Sequence, residues 1–313
     1  MMPAKRSSAF TYVRFATVSV VAVVTIAACG VDDRVVHVGN GLDDAVSHLS
    51  LAICDRRRQC FPTYIRRVFG TYDECVTRTK LLNAWIVSLQ GSAYTSDALQ
   101  ACADAWNRAS CDQATQTATL PECRVPGKKA TGEPCNSAAE CETYFCKQEG
   151  YACGTCAPEP PTGTTCSSYS DCGDAEWCMS DQTCQPPAGA NQPCSASIAC
   201  DGLQNCVNGV CVPRVDEGGH CDNTSLLCNF AGKGLTCDAA STCVADAPLD
   251  LGASCGKPIV GYCEKEGICR SGRCAPGPSD DGACDGTGAV CEPPAVCVNR
   301  TCQLPTAVPR CGG

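Results

Sequence analysis

The sequence predicts a small disulfide-stapled α-helical domain followed by about six small disulfide-rich modules of short hairpins and loops. Three observations lead there. Cysteine makes up 33 of 313 residues, a density typical of small domains that are crosslinked rather than held by a large core. One cysteine spacing recurs six times between residues 132 and 302, which marks a repeat array. Apolar residues at helical spacing are concentrated between residues 42 and 106.

The chain begins with Lys5, Arg6 and Arg14, then an apolar run from Phe15 to Ala28. That run of about 14 residues is short of the roughly 20 a spanning helix needs. Asp32 and Asp33 follow it, where a stop-transfer flank would place Lys or Arg. The layout is that of a signal peptide over residues 1–28. Ile26-Ala27-Ala28-Cys29 resembles a bacterial lipobox, which implies that Cys29 carries lipid and becomes the mature N-terminus. The cysteine count is odd, and setting Cys29 aside leaves an even number that can all pair. Residues 29–41 then read as the anchor and a tether. Gly30 after the cysteine resembles an outer-membrane sorting pattern.

Residues 42–125 form the expected helical domain. Leu42, Ala45, Val46, Leu49 and Ile53 make one apolar stripe. Thr71 and Glu74 form a capping box before a second helix, whose stripe is Val76, Leu82, Ile86 and Leu89 and whose stop is Gly91. A short helix is expected between Pro62 and Phe69. Thr95 or Ser96 caps a third long helix with an inner face of Leu99, Cys102, Ala105 and Trp106. Six cysteines lie here: Cys54, Cys60, Cys75, Cys102, Cys111 and Cys123. Cys54 and Cys60 fall on different faces of one helix and are expected to take other partners; fifteen connectivities are open.

Residues 126–313 form the repeat region, with units at 132–156, 163–184, 189–211, 219–243, 252–274 and 282–302. Each begins with Gly and then carries four cysteines. These are Cys135, Cys141, Cys146 and Cys153; Cys166, Cys172, Cys178 and Cys184; Cys194, Cys200, Cys206 and Cys211; Cys221, Cys228, Cys237 and Cys243; Cys255, Cys263, Cys269 and Cys274; Cys284, Cys291, Cys297 and Cys302. Four cysteines allow three pairings; the expected one joins first to third and second to fourth. Each crosslink removes about 2–3 kcal/mol of unfolded-chain freedom. Asn208-Gly209 and Ser271-Gly272 suggest a tiny hairpin before the fourth cysteine. Cys156 and Cys311 are left over, to pair with each other or elsewhere. Pro186-Pro187-Ala188-Gly189 and Pro276-Gly277-Pro278 read as semi-rigid links, so an elongated row of modules beyond a helical head is expected.

The lipobox, the six-cysteine helical segment and the G-x-x-C…C…C…C units together resemble the cysteine-rich lipoproteins abundant in myxobacteria and related bacteria. The repeats of that group are often matched to the Dickkopf N-terminal cysteine-rich domain. The resemblance implies an extracellular binding module without catalytic residues, anchored by lipid to the outer membrane or cell surface.

The residues themselves offer little for chemistry. Gly252-Ala253-Ser254-Cys255-Gly256 matches a nucleophile elbow by letter, but disulfide-rich sequence flanks it, and only His37, His48 and His220 could serve as a base. Cys153-Gly154-Thr155-Cys156 matches C-x-x-C without a thioredoxin-like setting. The cysteine gaps suit zinc poorly, and thiolates do not persist where disulfides form. Ser279-Asp280-Asp281-Gly282 with Asp285 lacks the EF-hand ligand order, leaving at most a surface calcium contact. Arg56, Arg57, Arg58, Arg66 and Arg67 are the one basic cluster, read as a solvated helix face or a contact to anionic lipid or polysaccharide. No cofactor, metal or catalytic set is expected. Without its signal the chain has 21 basic and 33 acidic residues, a net charge of −12, which argues against nucleic acid. The expected function is non-enzymatic: a cell-envelope lipoprotein with a membrane anchor that displays stapled modules to an extracellular protein or polysaccharide. A protease inhibitor on the same modules is the alternative, and a G-x-S-x-G hydrolase a remote third.

Overall fold

The computed structural model describes residues 40–115, 119–148, 153–168, 171–195, 197–222, 226–256, 261–284, 291–307 and 311. The signal peptide, Cys29, the tether through residue 39 with His37, and Asp285 lie outside the described residues, and Asn40 and Gly41 at the end of the expected tether already belong to the first helix. Among the described residues no helix is long and apolar enough to cross a membrane.

The helical region contains α1 (Asn40–Cys60), α2 (Tyr64–Val68), α3 (Tyr72–Ser88), α4 (Ser96–Arg108) and α5 (Cys111–Thr115), closed by a 3-10 turn at Pro121–Cys123. α1 packs on α3 and α4. Its predicted stripe is buried: Ala45, Val46, Leu49 and Ile53 join Leu99, Cys102, Ala103 and Ala105 of α4 in one cluster. Thr71 and Thr95 cap α3 and α4 by accepting from the N–H groups of Glu74 and Ala98. α2 stands where the short helix was expected.

α3 differs from expectation. Its buried residues are Cys75, Arg78, Thr79, Asn83 and Ala84, whereas Val76, Leu82 and Ile86 are only half-buried. The helix turns a polar face inward because that face has partners. Asn83 donates to the Ser50 hydroxyl at 3.1 Å, and Arg78 reaches the sixth repeat. Gly91 is also not the helix stop. The helix ends at Ser88, and a Cβ on Gly91 would meet the Glu140 Cβ at 2.8 Å, so glycine is needed there for close approach of the first repeat.

Sixteen disulfides pair every described cysteine. In the helical region they are Cys54–Cys75, Cys60–Cys111 and Cys102–Cys123. In the repeats the chain makes short hairpins: β4 (Trp177–Cys178) with β5 (Cys184–Gln185), β6 (Gln204–Val207) with β7 (Val210–Pro213), and β8 (Leu235–Cys237) with β9 (Cys243–Ala245). β10 (Pro248–Leu249) pairs in parallel with β11 (Tyr262–Cys263), and the fifth and sixth repeats pair β12 (Ile268–Arg270) with β13 (Arg273–Ala275) and β14 (Val296–Val298) with β15 (Thr301–Gln303). Asn208-Gly209 and Ser271-Gly272 all have positive φ, as a tight hairpin turn requires.

The first repeat corrects one expectation. Its sheet is β1 (Pro134–Cys135), β3 (Gly154–Cys156) and β2 (Cys146–Lys147), and the residue facing Cys146 is Cys156, not Cys153. In every other repeat the third and fourth cysteines face each other in the same way, as Cys206 and Cys211 do. Cys156 is therefore the fourth cysteine of repeat one. It bonds Cys141, while Cys135 bonds Cys146. The remaining repeats join first to third and second to fourth as expected, the loose fourth repeat included. Cys153 instead pairs with Cys311, 158 residues away.

The glycine that opens each unit has a defined task. Gly132, Gly163, Asn191, Gly218, Gly252 and Asp281, each three residues before a first cysteine, all have positive φ. Each donates its backbone N–H to the carbonyl of the fourth cysteine at 2.7–2.8 Å. The repeat thus starts at Asn191, Gly218 and Asp281 in units three, four and six, rather than at Gly189, Gly219 and Gly282. Asn and Asp replace Gly because they tolerate the left-handed region best among other residues.

The described residues fall within a single packed unit, in place of the expected row of separate modules. The Pro-containing links are packed rather than free: Ala188 is buried and its N–H bonds the Ala199 carbonyl, and a Cβ on Gly277 would meet the Glu266 carbonyl at 2.5 Å. The repeats return to the helical region at several points. Arg124 pairs with Glu159 at 3.0 Å, Glu266 donates its N–H to the Arg67 carbonyl at 2.8 Å, and Arg78 holds Asp280 at 2.7 Å.

Candidate binding surface

The arginines of the basic cluster make contacts within the chain, although Arg58 and Arg66 stay about half exposed to solvent. Arg56 donates to the carbonyls of Trp106 and Asn107. Arg57 lies over the rings of Tyr64 and Trp106, and Arg58 pairs with Asp55 and covers Tyr72 at 4.4 Å. Arg66 bonds Glu264 of the fifth repeat. Arg67 stacks between Phe230 and Tyr262, 4.3 and 5.6 Å from their ring centres. A guanidinium can combine a flat stacking face with edge donors, so these arginines tie the helices together and seat the fourth and fifth repeats on α2.

The other predicted sites also dissolve into structure. Ser254 pairs its backbone with Arg273, and Cys255 is bonded to Cys269 as the first cysteine of its repeat. His48 Nδ1 lies 3.2 Å from the Gln100 amide oxygen, and His220 pairs its backbone with Thr242. Cys153 and Cys156 bond different partners. Groups of three cysteine sulfurs lie within 4.8 Å of one another in several repeats, but these are stacked disulfides, not thiolates free to ligate zinc. Asp280 of the acidic group spends both carboxylate oxygens on Arg78.

The feature that sequence reasoning missed is a groove of about 500 Å³ where the first two repeats meet. Tyr144, Phe145 and Trp177 line it together with Thr119, Asp174 and Glu176. Arg124, just past the last helical cysteine, builds one end by pairing with Glu159 and Asp174 and lying 5.3 Å from the Tyr144 ring centre. Asp174 also accepts from the Thr119 N–H at 3.1 Å. Two wall residues have left-handed backbones, Tyr144 at φ +53° and Ala175 at φ +71°. Such strain costs on the order of 1–3 kcal/mol and tends to collect at functional positions. Glu176 accepts from the Thr162 hydroxyl with one oxygen, and its Oε2 is buried with no partner among the described residues. A second hollow of about 830 Å³ adjoins through Phe145 and contains Lys147 and Asp171. The Asp171 carboxyl is held below its usual range by the N–H of Ser167, then by the Ser167 hydroxyl and the Ser168 N–H.

No family model, no curated protein and no solved structure matches this chain. The assignment therefore rests on its own geometry. The extensive disulfide bonding places the protein in an extracellular or otherwise oxidising compartment. Tyr144 and Phe145 are adjacent in the sequence but Trp177 lies in the next unit, so no local run of aromatic residues marks the groove.

Proposed function

We propose that this protein is a lipid-anchored component of the cell envelope that binds an extracellular protein or polysaccharide through its repeats and performs no catalysis. The observation that carries the binding role is the aromatic groove between repeats one and two, with strained wall residues Tyr144 and Ala175 and the unpartnered Glu176 Oε2. Aromatic walls with a few placed polar groups are the usual make-up of a recognition site. Disulfide crosslinking keeps the groove pre-formed, which lowers the entropy cost of binding. The signal-like start and Cys29 support the anchor.

The experiment combines retention and binding. The mature chain without its anchor is incubated with intact envelopes and with purified envelope polysaccharide, beside a Trp177→Ala variant. Saturable binding that Trp177→Ala lowers at least about tenfold, the loss expected when a central aromatic anchor is truncated, supports the proposal. Equal binding by both proteins, or none by either, refutes the groove.

A further inference from the structure

We infer that the Cys153–Cys311 disulfide is a thiol-exchange latch, opened by an external dithiol before the other disulfides and releasing the sixth repeat from the first. Its place in the fold sets it apart. The disulfides within repeats close 11–16 residues, and those of the helical region close 21 or 51, whereas Cys153–Cys311 closes 158. Cys153 is exposed. Two other disulfides have an exposed member, Cys60–Cys111 and Cys255–Cys269.

What separates the three is how readily each recloses. A reduced pair whose two thiols stay neighbours re-forms its bond, because the effective concentration of one thiol at the other is high. Cys255 and Cys269 are kept together by the Cys263–Cys274 crosslink and the β12–β13 hairpin. Cys60 and Cys111 end and begin helices that both pack in the helical region. Among the described residues, neither a second crosslink nor a strand pair joins Cys311 to the first repeat, and its N–H rests on the Asn136 carboxamide oxygen at 2.9 Å. Behind it, the sixth repeat is seated by Arg78 on Asp280 and on the carbonyls of Glu292 and Pro293. Separation of these two thiols after reduction therefore costs the least.

The exchange balances as an ordinary two-electron reduction. A thiolate of the dithiol attacks the exposed Cys153 sulfur; the bond to Cys311 breaks, and Cys311 leaves as a thiolate that takes up a proton. The second thiol of the reductant then attacks the mixed disulfide and frees Cys153, and the reductant leaves oxidised to its own disulfide. The sixth repeat then keeps its contact with the helices through the Arg78 cluster and the packing of the Pro305–Ala307 turn on α3, while its covalent link to the first repeat is gone.

The test uses the mature protein in dithiothreitol buffers of graded redox ratio, quenched in acid, alkylated and mapped by peptide mass. Cys153 and Cys311 are expected to be labelled at a reductant ratio about tenfold below that of any other pair. Earlier or simultaneous labelling of Cys60–Cys111, Cys255–Cys269 or any other pair overturns the inference. A Cys153→Ser/Cys311→Ser variant gives the second readout. Amide exchange in residues 296–303 should speed up about tenfold while residues 204–213 keep their rates. Unchanged exchange in the sixth repeat would show that the bond is not a latch. Neither readout depends on the anchor or on the groove.

Discussion

Arg78, on the buried face of α3, grips both oxygens of Asp280 in the sixth repeat at 2.7 and 2.9 Å. Its side chain is only 7 % exposed, and two further N–H groups go to the carbonyls of Pro293 and Glu292. A buried guanidinium of this kind is costly to strip of its partner. Asp280→Ala should therefore destabilise the protein by about 3 kcal/mol, read by denaturant unfolding of the mature chain. Arg78→Met with Asp280→Leu should recover most of that loss, because no uncompensated charge remains. A double variant as weak as the single one would show that the pair acts through something other than charge burial.

The disulfide assignment of the first repeat can be checked directly. Non-reducing peptide mapping should return Cys141–Cys156 and Cys153–Cys311. A Cys141–Cys153 peptide would contradict the register in which Cys146 faces Cys156.

The left-handed residue that opens each repeat predicts a graded response. At Gly163 (φ +88°) an added Cβ meets no atom within 4 Å, so Gly163→Ala carries backbone strain alone, about 1 kcal/mol. Gly163→Asn should cost less, since Asn191 fills the same position in the third repeat at φ +63°. Thermal unfolding of the two variants side by side settles the order.

Three carboxyls, Asp246 buried and Glu266 and Glu292 partly so, should make the protein more stable in mild acid. Burial pushes Asp246, Glu266 and Glu292 upward, against the opposing pull of Arg67 on the first two and Arg78 on the third. A folded-state pKa above the unfolded one means the native state holds the proton more firmly. This contribution is fully present below the ordinary carboxylate range, near pH 4, and is lost as pH rises through the raised values. Glu266→Gln should flatten the fall in melting temperature between about pH 4 and 7; a variant with the wild-type slope would remove Glu266 from the account.

Cys29 governs the proposed anchor. Cys29→Ser is expected to release the protein from membranes or block its processing, as followed by fractionation and globomycin-type inhibition of lipoprotein maturation. Membrane retention and processing like those of the wild type would defeat the lipid reading.

Local order was legible in the residues. Ala45, Val46, Leu49 and Ile53 lie inward as their spacing indicated, Thr71 and Thr95 cap their helices, and the Asn208-Gly209 and Ser271-Gly272 turns close hairpins. These features depend on neighbours a few residues away, and the crosslinks within repeats two to six close loops of 11–16 residues, so periodicity and turn chemistry suffice to specify them. The tertiary structure alone decided which cysteine completes the first repeat, because Cys153 and Cys156 are nearly equivalent in spacing and only the register opposite Cys146 separates them. It also decided that Arg66, Arg67 and Arg78 take partners in distant parts of the chain. Their partners lie about two hundred residues onward, as Arg78 and Asp280 do, and a charged side chain on a helix carries no local mark of whether a distant carboxylate will return to it. The groove has the same origin: Tyr144 and Trp177 belong to separate stapled units, and only the packing of one repeat on the next makes them two walls of one site.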